Sequence, residues 1–223
     1  MPESLGVAAS LYIPLALEQI DETIELVWTL IHQARYVEGK ILINKLLEEL
    51  TQQINAEDPV LLSRLARAHH AAGHVTSEGS RTENVLDAFQ HFEQTEKIAR
   101  IINDDTLLNI GLTYEGDMLR RKGDIEGGLQ YLLEARDHTP NADEEARGNS
   151  LQLLACASLN SKDMYSFEKA MSEAEELSID AALFTGSIHG FYSPRTCLQH
   201  TELLGEFDTR HRACESSGSR CTA

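Results

Sequence analysis

Three histidines have the residue type and spacing of a metal site. His69, His70 and His74 form an H-H-x3-H cluster. His70 and His74 are four residues apart, which would place two imidazoles on one helix face, as metal ligands require. Gly73 is expected to end the helix before His74, and no glutamate completes an H-E-x-x-H arrangement. The pattern therefore favours packing and surface histidines over a metal site.

No other residues carry a recognisable catalytic or cofactor signature. The four cysteines, at 156, 197, 214 and 221, have no C-x-x-C spacing. The three glycines of G-D-I-E-G-G at 123–128 are explained by a turn and close packing between two helices. We therefore predict no catalytic residue, no metal and no cofactor. A metal-dependent enzyme is the remaining chemical class, and bound zinc or iron in the purified protein would reveal it.

The composition points to a helical and strongly acidic protein. Formal net charge is −17, from 36 acidic and 19 basic residues. A nucleic-acid surface needs clustered Lys and Arg, so we predict no direct nucleic-acid binding by this chain. The N-terminal apolar stretch is interrupted by Pro14 and follows no basic segment, so we predict neither a signal peptide nor a membrane span, and a cytoplasmic location.

One segment has the pattern of two packed antiparallel helices. Its small, large, turn and stop residues are Leu112, Gly116, Leu119, Gly123, Gly128, Leu132, Ala135 and Pro140. Glycine at 116 and 128 would let the two backbones approach closely, Gly123 would form the turn, and Pro140 cannot continue a helix. Such a unit cannot bury its apolar faces alone, so its neighbours should be similar units.

Three further segments repeat this register. In the unit before it, Asp58 and Pro59 are expected to start a helix that ends at Gly73, and the polar run at 74–83 is predicted to be a loop. After it, Asn141 and Glu144 resemble a capping pair that opens the next helix. The packing positions of the three copies are Val27, Leu30, Gly39, Ile43 and Leu46, then Leu62, Leu65, Ala66, Ala88 and Phe92, then Leu151, Leu154, Ala155, Phe167 and Met171.

These patterns resemble the tetratricopeptide repeat (TPR). The first-helix pattern L-x2-L-A-x2-H-x3-G occupies 62–73, and the second-helix pattern G-x3-L-x2-A occupies 128–135, followed by Pro140. The resemblance covers residues 15–178 and implies an all-α fold, a right-handed α-solenoid of about four antiparallel helix hairpins. The repeat array is also similar to the sensor arrays that follow helix-turn-helix domains in bacterial transcriptional regulators.

Flanking segments are predicted on either side of the array. Residues 1–14 are a lead-in, too short for a helix-turn-helix domain. Residues 179–207 contain Gly186, Gly190 and Pro194 and are expected to form a degenerate fifth repeat or a cap. Residues 208–223 are polar and Ser-rich, and we predict that they are disordered.

The predicted binding site lies along the first helix of each hairpin, which lines the concave face in stacks of this kind. Its candidate residues are Arg64, Arg67, His70, Tyr114, Asp117, Arg120, Arg121, Asn149 and Gln152. Four arginines would then gather on one strip of a very acidic protein, beside amides able to bond a peptide backbone. The alternative is that these arginines merely pair with acidic neighbours. The Lys/Asn clamp of chaperone-binding TPR proteins is not reproduced at 63, 67, 113, 117 and 149.

We therefore expect a protein- or peptide-binding module, serving as the sensory or interaction part of a bacterial transcriptional regulatory system. The ligand would lie in the concave groove, and a homodimer is left open. A structural or oligomerisation scaffold, or a remnant with no ligand, is the alternative.

Overall fold

The structure, a computed structural model, describes residues 14–53, 58–79 and 84–181. Those residues form eight α-helices and no strand. The helices are α1 (Leu17–His32), α2 (Tyr36–Gln53), α3 (Pro59–Gly79), α4 (Val85–Ile102), α5 (Asp105–Lys122), α6 (Ile125–His138), α7 (Glu144–Asn160) and α8 (Met164–Ala181). The all-α helical-repeat prediction is confirmed. None of these eight helices has the length and apolar character needed to cross a bilayer.

The chain divides into two compact units, Met1–His91 and Phe92–Ala223, with the boundary inside α4. In the first unit, α1 packs against α2 and α3. Apolar residues spaced three and four apart bring one face of each helix into a common core. The most deeply buried of them are Ile20, Ile24 and Val27 on α1, Ile43 and Leu50 on α2, and Ala68, Ala71 and Val75 on α3.

Helix α3 begins as predicted but continues past the glycine that was expected to end it. An Asp58 carboxylate oxygen accepts hydrogen bonds from the backbone N–H groups of Val60 and Leu61 at 2.9 and 3.2 Å. The helix then runs through Gly73 to Gly79, so the prediction of a loop over 74–79 is wrong. Glycine inside a helix costs about 0.5–1 kcal/mol relative to alanine, and burial of the following turn, with Val75 only 1% exposed, offsets that cost.

The second unit contains the hairpin of α5 and α6, which has the predicted glycine contacts. A β-carbon added at Gly116 would lie 2.8 Å from Cγ of Leu132 and 2.9 Å from the carbonyl oxygen of Gly128. One added at Gly128 would lie 2.7 Å from the carbonyl oxygen of Gly116. The turn residue Gly123 has φ +94°, a conformation that favours glycine. The close approach of the two helices is confirmed.

Helices α7 and α8 form the following hairpin, and α7 also packs against α5 and α6. The helix α7 is capped by Asp143, whose carboxylate accepts from the N–H of Ala146 at 2.7 Å. The predicted capping pair of Asn141 and Glu144 is therefore wrong, because the Asn141 amide instead donates to Asp105 at 2.8 Å.

Most of the flanking predictions lie outside the described residues. The lead-in at 1–14 is described only at its last residue, and the predicted tail at 208–223 is not described. The predicted fifth repeat or cap at 179–207 is described only as far as Ala181. These boundaries, and the handedness of the predicted solenoid, stay predictions.

Candidate functional site

The predicted site residues belong to both units. Arg64, Arg67 and His70 lie on α3 in the first unit. The six others lie on α5 and α7 in the second unit: Tyr114, Asp117, Arg120, Arg121, Asn149 and Gln152.

In the first unit, both predicted arginines bind acidic side chains of α1. Arg64 Nη2 donates to Asp21 Oδ2 at 2.6 Å, and Arg67 Nη1 donates to Asp21 Oδ1 at 2.9 Å. A second guanidinium nitrogen of Arg67 lies 3.5 Å from Glu25. Asp21 thus takes one charged hydrogen bond on each oxygen, which is a strong arrangement for holding α3 against α1.

An aromatic and histidine cluster continues along the same two helices. Trp28 of α1 makes edge contacts with His70 and His74, with ring centroids 5.0 Å apart in both pairs. The two histidine rings are themselves 4.9 Å apart, since α3 does not end at Gly73 and carries both on one face. The expectation that Gly73 separates them is wrong. Even so, the described ranges contain no group of three or more His, Cys, Asp or Glu residues arranged to hold a metal ion.

In the second unit, two arginines of α5 share one buried carboxylate. The side chain of Asp117 is only 1% exposed. Arg120 donates to its Oδ1 from Nε at 2.9 Å and from Nη2 at 2.6 Å, and Arg121 Nε lies 2.7 Å from its Oδ2. Arg120 also reaches Asn160 of α7 at 3.3 Å. Two guanidinium groups around one carboxylate leave one net positive charge at this point.

A hydrogen bond joins α5 to α7 one turn before this cluster. The Asn149 amide Nδ2 donates to the Tyr114 hydroxyl oxygen at 2.8 Å. The Tyr114 ring is stacked on Phe92 with centroids 5.1 Å apart. Gln152, one turn after Asn149, is 8% exposed. The structure therefore brings the six predicted residues of this unit together on two neighbouring helices, with Asp117 and Gln152 largely buried.

Sequence reasoning missed a buried carboxyl group, that of Glu115 on α5. The residue is 0% exposed, and neither carboxyl oxygen finds a hydrogen-bond donor. Burial, together with the nearby carboxylates of Glu96 and Glu93 on α4, raises its pKa to about 9. Glutamate in a polar-looking helix gives no sequence signal of burial.

The position of that carboxyl group is set by the close packing of α4 and α5. A β-carbon at Gly111 would lie 2.8 Å from the backbone nitrogen of Glu96, so the helices nearly touch there. One turn after Glu96 on α4, Arg100 donates to Glu96 and to Glu134 of α6, both at 2.7 Å. The guanidinium group is thus engaged by two other carboxylates.

Sequence reasoning also missed the contact between two histidines of the first unit. The Nδ1 atoms of His69 and His91 are 3.1 Å apart, so one ring donates to the other. Burial and, to a smaller extent, the neighbouring His91 lower the pKa of His69 to about 4. The pKa of His91 is also lowered, chiefly by burial. Both rings are therefore neutral at neutral pH.

Comparison with known proteins shows the fold. No family model matches the sequence, and no curated protein matches it. The chain is similar to a solved structure of TPR-like repeats from a Podosopora anserina kinesin light chain-like protein, with 14% identity and a TM-score of 0.56 over 92% of this chain and 99% of that chain. A single-residue variant of those repeats matches with 14% identity and a TM-score of 0.55 over 91% and 98%. These similarities show a TPR-like helical-repeat fold.

Proposed function

We propose that this chain is a protein- or peptide-binding module whose ligand lies along the face of α5 and α7. The residues that would contact it are Tyr114, Asp117, Arg120, Arg121, Asn149 and Gln152. The TPR-like fold supports this proposal because stacked hairpins present extended surfaces made from the first helix of each pair. Within the other unit, Arg64, Arg67 and His70 would form a separate surface of the same type.

The single observation that carries the proposal is the pair of arginines on buried Asp117. Holding two guanidinium groups against a carboxylate that is 1% exposed fixes them before a ligand arrives, and such preorganisation lowers the entropy lost on binding. The excess positive charge would attract a carboxylate of the ligand despite the net charge of −17. The nearby amides of Asn149 and Gln152 would bond its backbone.

The test is affinity capture from a cell lysate and from an array of acidic peptides. Arg120→Gln/Arg121→Gln keeps hydrogen-bonding groups near Asp117 but removes both charges, and capture should fall about tenfold or more, as expected when a charged contact is lost. Arg136→Gln/Lys169→Gln removes two charges from surface ion pairs of the same unit and should leave capture unchanged. Equal capture by both variants would rule out this face as the binding site.

The alternative of a scaffold without a ligand is favoured by one observation. All four arginines of the predicted site form ion pairs within the chain, as that alternative requires. Strong self-association with no captured ligand would support it. A role in a bacterial transcriptional regulator rests on the sequence resemblance alone and stays a prediction.

A further inference from the structure

The first unit has a surface groove between α1 and α2. Its volume is about 330 Å³. Its apolar lining comes from Leu46 of the core and from Leu15 and Leu42, which pack against the core, and its acidic lining comes from Glu22 and Glu49. The remainder of the lining is polar, so the groove combines apolar and hydrophilic side chains, as interaction surfaces do.

On α1, the residues that line the groove lie on a different face from the fully buried core residues. The core side carries Ile20, Ile24 and Val27, all fully buried. The groove side of α1 carries Gln19, Glu22 and Thr23, whose spacing of three and four residues from Gln19 places them on one helix face, and Leu15 lies just before the helix begins. Among the described residues of this unit, α2 borders the groove and α3 contributes none of its lining.

Hydrogen bonds fix one end of the groove, and the same face of α1 continues past its other end. The Gln53 side chain accepts from the backbone N–H of Leu15 and donates to its carbonyl oxygen, both at 3.0 Å, which ties the end of α2 to the start of α1. On the groove side of α1, one turn after Glu22, Leu26 is 50% exposed. From Gln19 to Leu26 the helical face is about 11 Å long, which matches about two turns of a docked helix.

The charges around the groove select the kind of helix. The helix α1 carries four carboxylates and neither Lys nor Arg. Asp21 and Glu25 bind the arginines of α3 on another face of α1. These arginines therefore do not neutralise the acidic residues of the groove. At the groove itself, Glu22 and Glu49 face one lysine, Lys45, which lies 3.8 Å from Glu49.

We propose that this groove is a second interaction surface, and that it binds an amphipathic helix of a partner protein with Lys or Arg beside its apolar stripe. The apolar stripe would contact Leu15, Leu42 and Leu26, and the basic residues would lie against Glu22 and Glu49. This is the helix-in-groove mode of recognition, with charge selecting the partner. It needs no contact with the α5 and α7 face and stands whether or not that face binds a ligand.

The proposal is tested with two synthetic helical peptides of about five turns. One has a leucine stripe flanked by lysine, and the other has the same stripe flanked by glutamate. Fluorescence anisotropy on the full chain should show saturable binding of the lysine peptide and none of the glutamate peptide. Hydrogen exchange should slow in α1 and α2 when the lysine peptide is bound. Equal binding of both peptides, binding of neither, or protection confined to other helices would overturn the proposal.

Matched double variants separate groove binding from general attraction to an acidic protein. Glu22→Arg/Thr23→Arg changes the charge and fills the groove, and should weaken lysine-peptide binding by about tenfold or more. Glu126→Arg/Gln130→Arg makes the same charge change on exposed positions of α6 and should have little effect. Equal weakening by both variants would overturn the proposal.

Two further controls identify the occupant. Arg120→Gln/Arg121→Gln should leave lysine-peptide binding unchanged, so a failure of the α5 and α7 site is distinguishable from a failure of this one. Sedimentation of the unmodified chain should show no association that Glu22→Arg/Thr23→Arg abolishes. If it does, a second copy of the chain occupies the groove and the proposal of a basic partner is wrong.

Discussion

Glu115 is the residue whose environment differs most from the solvent-exposed one expected for a glutamate. It is fully buried, has no donor for either oxygen and faces the carboxylates of Glu93 and Glu96 on α4. Lys97 and Arg100 of α4 bind those neighbours, while Tyr131 and Glu134 approach from α6. Bearing a proton, Glu115 can donate to Glu96, and it avoids a buried unpaired charge.

Replacing this carboxyl group should change how stability depends on pH. The folded-state pKa of Glu115, about 9, lies above its unfolded value of 4.5. Between these two pH values the folded chain therefore keeps a proton that the unfolded chain releases. Stability from this group is therefore lost as pH rises from about 5 to about 9, at up to about 1.4 kcal/mol per pH unit. Glu115→Gln should flatten the profile in that range, measured by urea unfolding.

The control is Glu168→Gln, which removes an exposed carboxylate of α8 and should leave the slope unchanged. A profile for Glu115→Gln that parallels the wild-type profile would show that the buried carboxyl group is not protonated in the folded chain.

At the scale of elements, each hairpin is set by residues at its turn and at its closest contact. Gly123 at φ +94° and Lys162 at φ 64° occupy equivalent turns between paired helices. Aspartates then begin the following helices, as Asp124 does by accepting from the N–H of Gly127 at 3.0 Å. These local devices explain why the α5 and α6 hairpin was predictable from sequence, and why a non-glycine residue in the second turn did not prevent its formation.

Adding one methyl group at the closest contact should destabilise the second unit. In Gly116→Ala the new carbon would lie within 3 Å of Leu132 and of the Gly128 backbone. Overpacking of this kind costs about 1–3 kcal/mol, and better helix propensity returns about 0.5–1 kcal/mol. We expect a net loss of about 1–2 kcal/mol in the free energy of unfolding, measured by urea denaturation followed by circular dichroism.

Gly39→Ala in α2 is the matched comparison. Its added carbon would lie 3.2 Å from the tip of the Val75 side chain, which can rotate, so the loss should be smaller. A Gly116→Ala variant as stable as wild type would show that α5 and α6 can separate without cost.

At the scale of the whole molecule, the two units contain buried groups with opposite responses to pH. His69 in the first unit has its pKa lowered to about 4, below its ordinary value of 6.5. The unfolded chain binds that proton more readily, so stability is lost as pH falls through this range. Glu115 in the second unit acts in the other direction, since its stability contribution is lost as pH rises.

Acidification should therefore weaken the first unit relative to the second. The chain has one tryptophan, Trp28 of α1, so its fluorescence reports unfolding of the first unit, whereas circular dichroism reports all helices. On going from about pH 7 to about pH 5, the fluorescence midpoint in urea should fall relative to the circular dichroism midpoint.

His69→Gln should reduce this difference, and His138→Gln, at an exposed position of α6, should not. Coincident midpoints at both pH values would mean that the units unfold together and that these two groups do not set their relative stability.

The sequence by itself determined the features that depend on near neighbours in the chain. Helix periodicity, the Asp58–Pro59 start, the turn at Gly123 and the contact of Gly116 with Gly128 are local, and all were predicted correctly. Only tertiary structure decided the rest. Whether Gly73 ends α3 depends on the burial of the turn after it, whether Arg64 is bound depends on Asp21 in another hairpin, and whether Glu115 keeps its proton depends on α4. Each outcome is set by a free energy of burial or pairing between residues far apart in the chain, which periodicity and spacing do not encode.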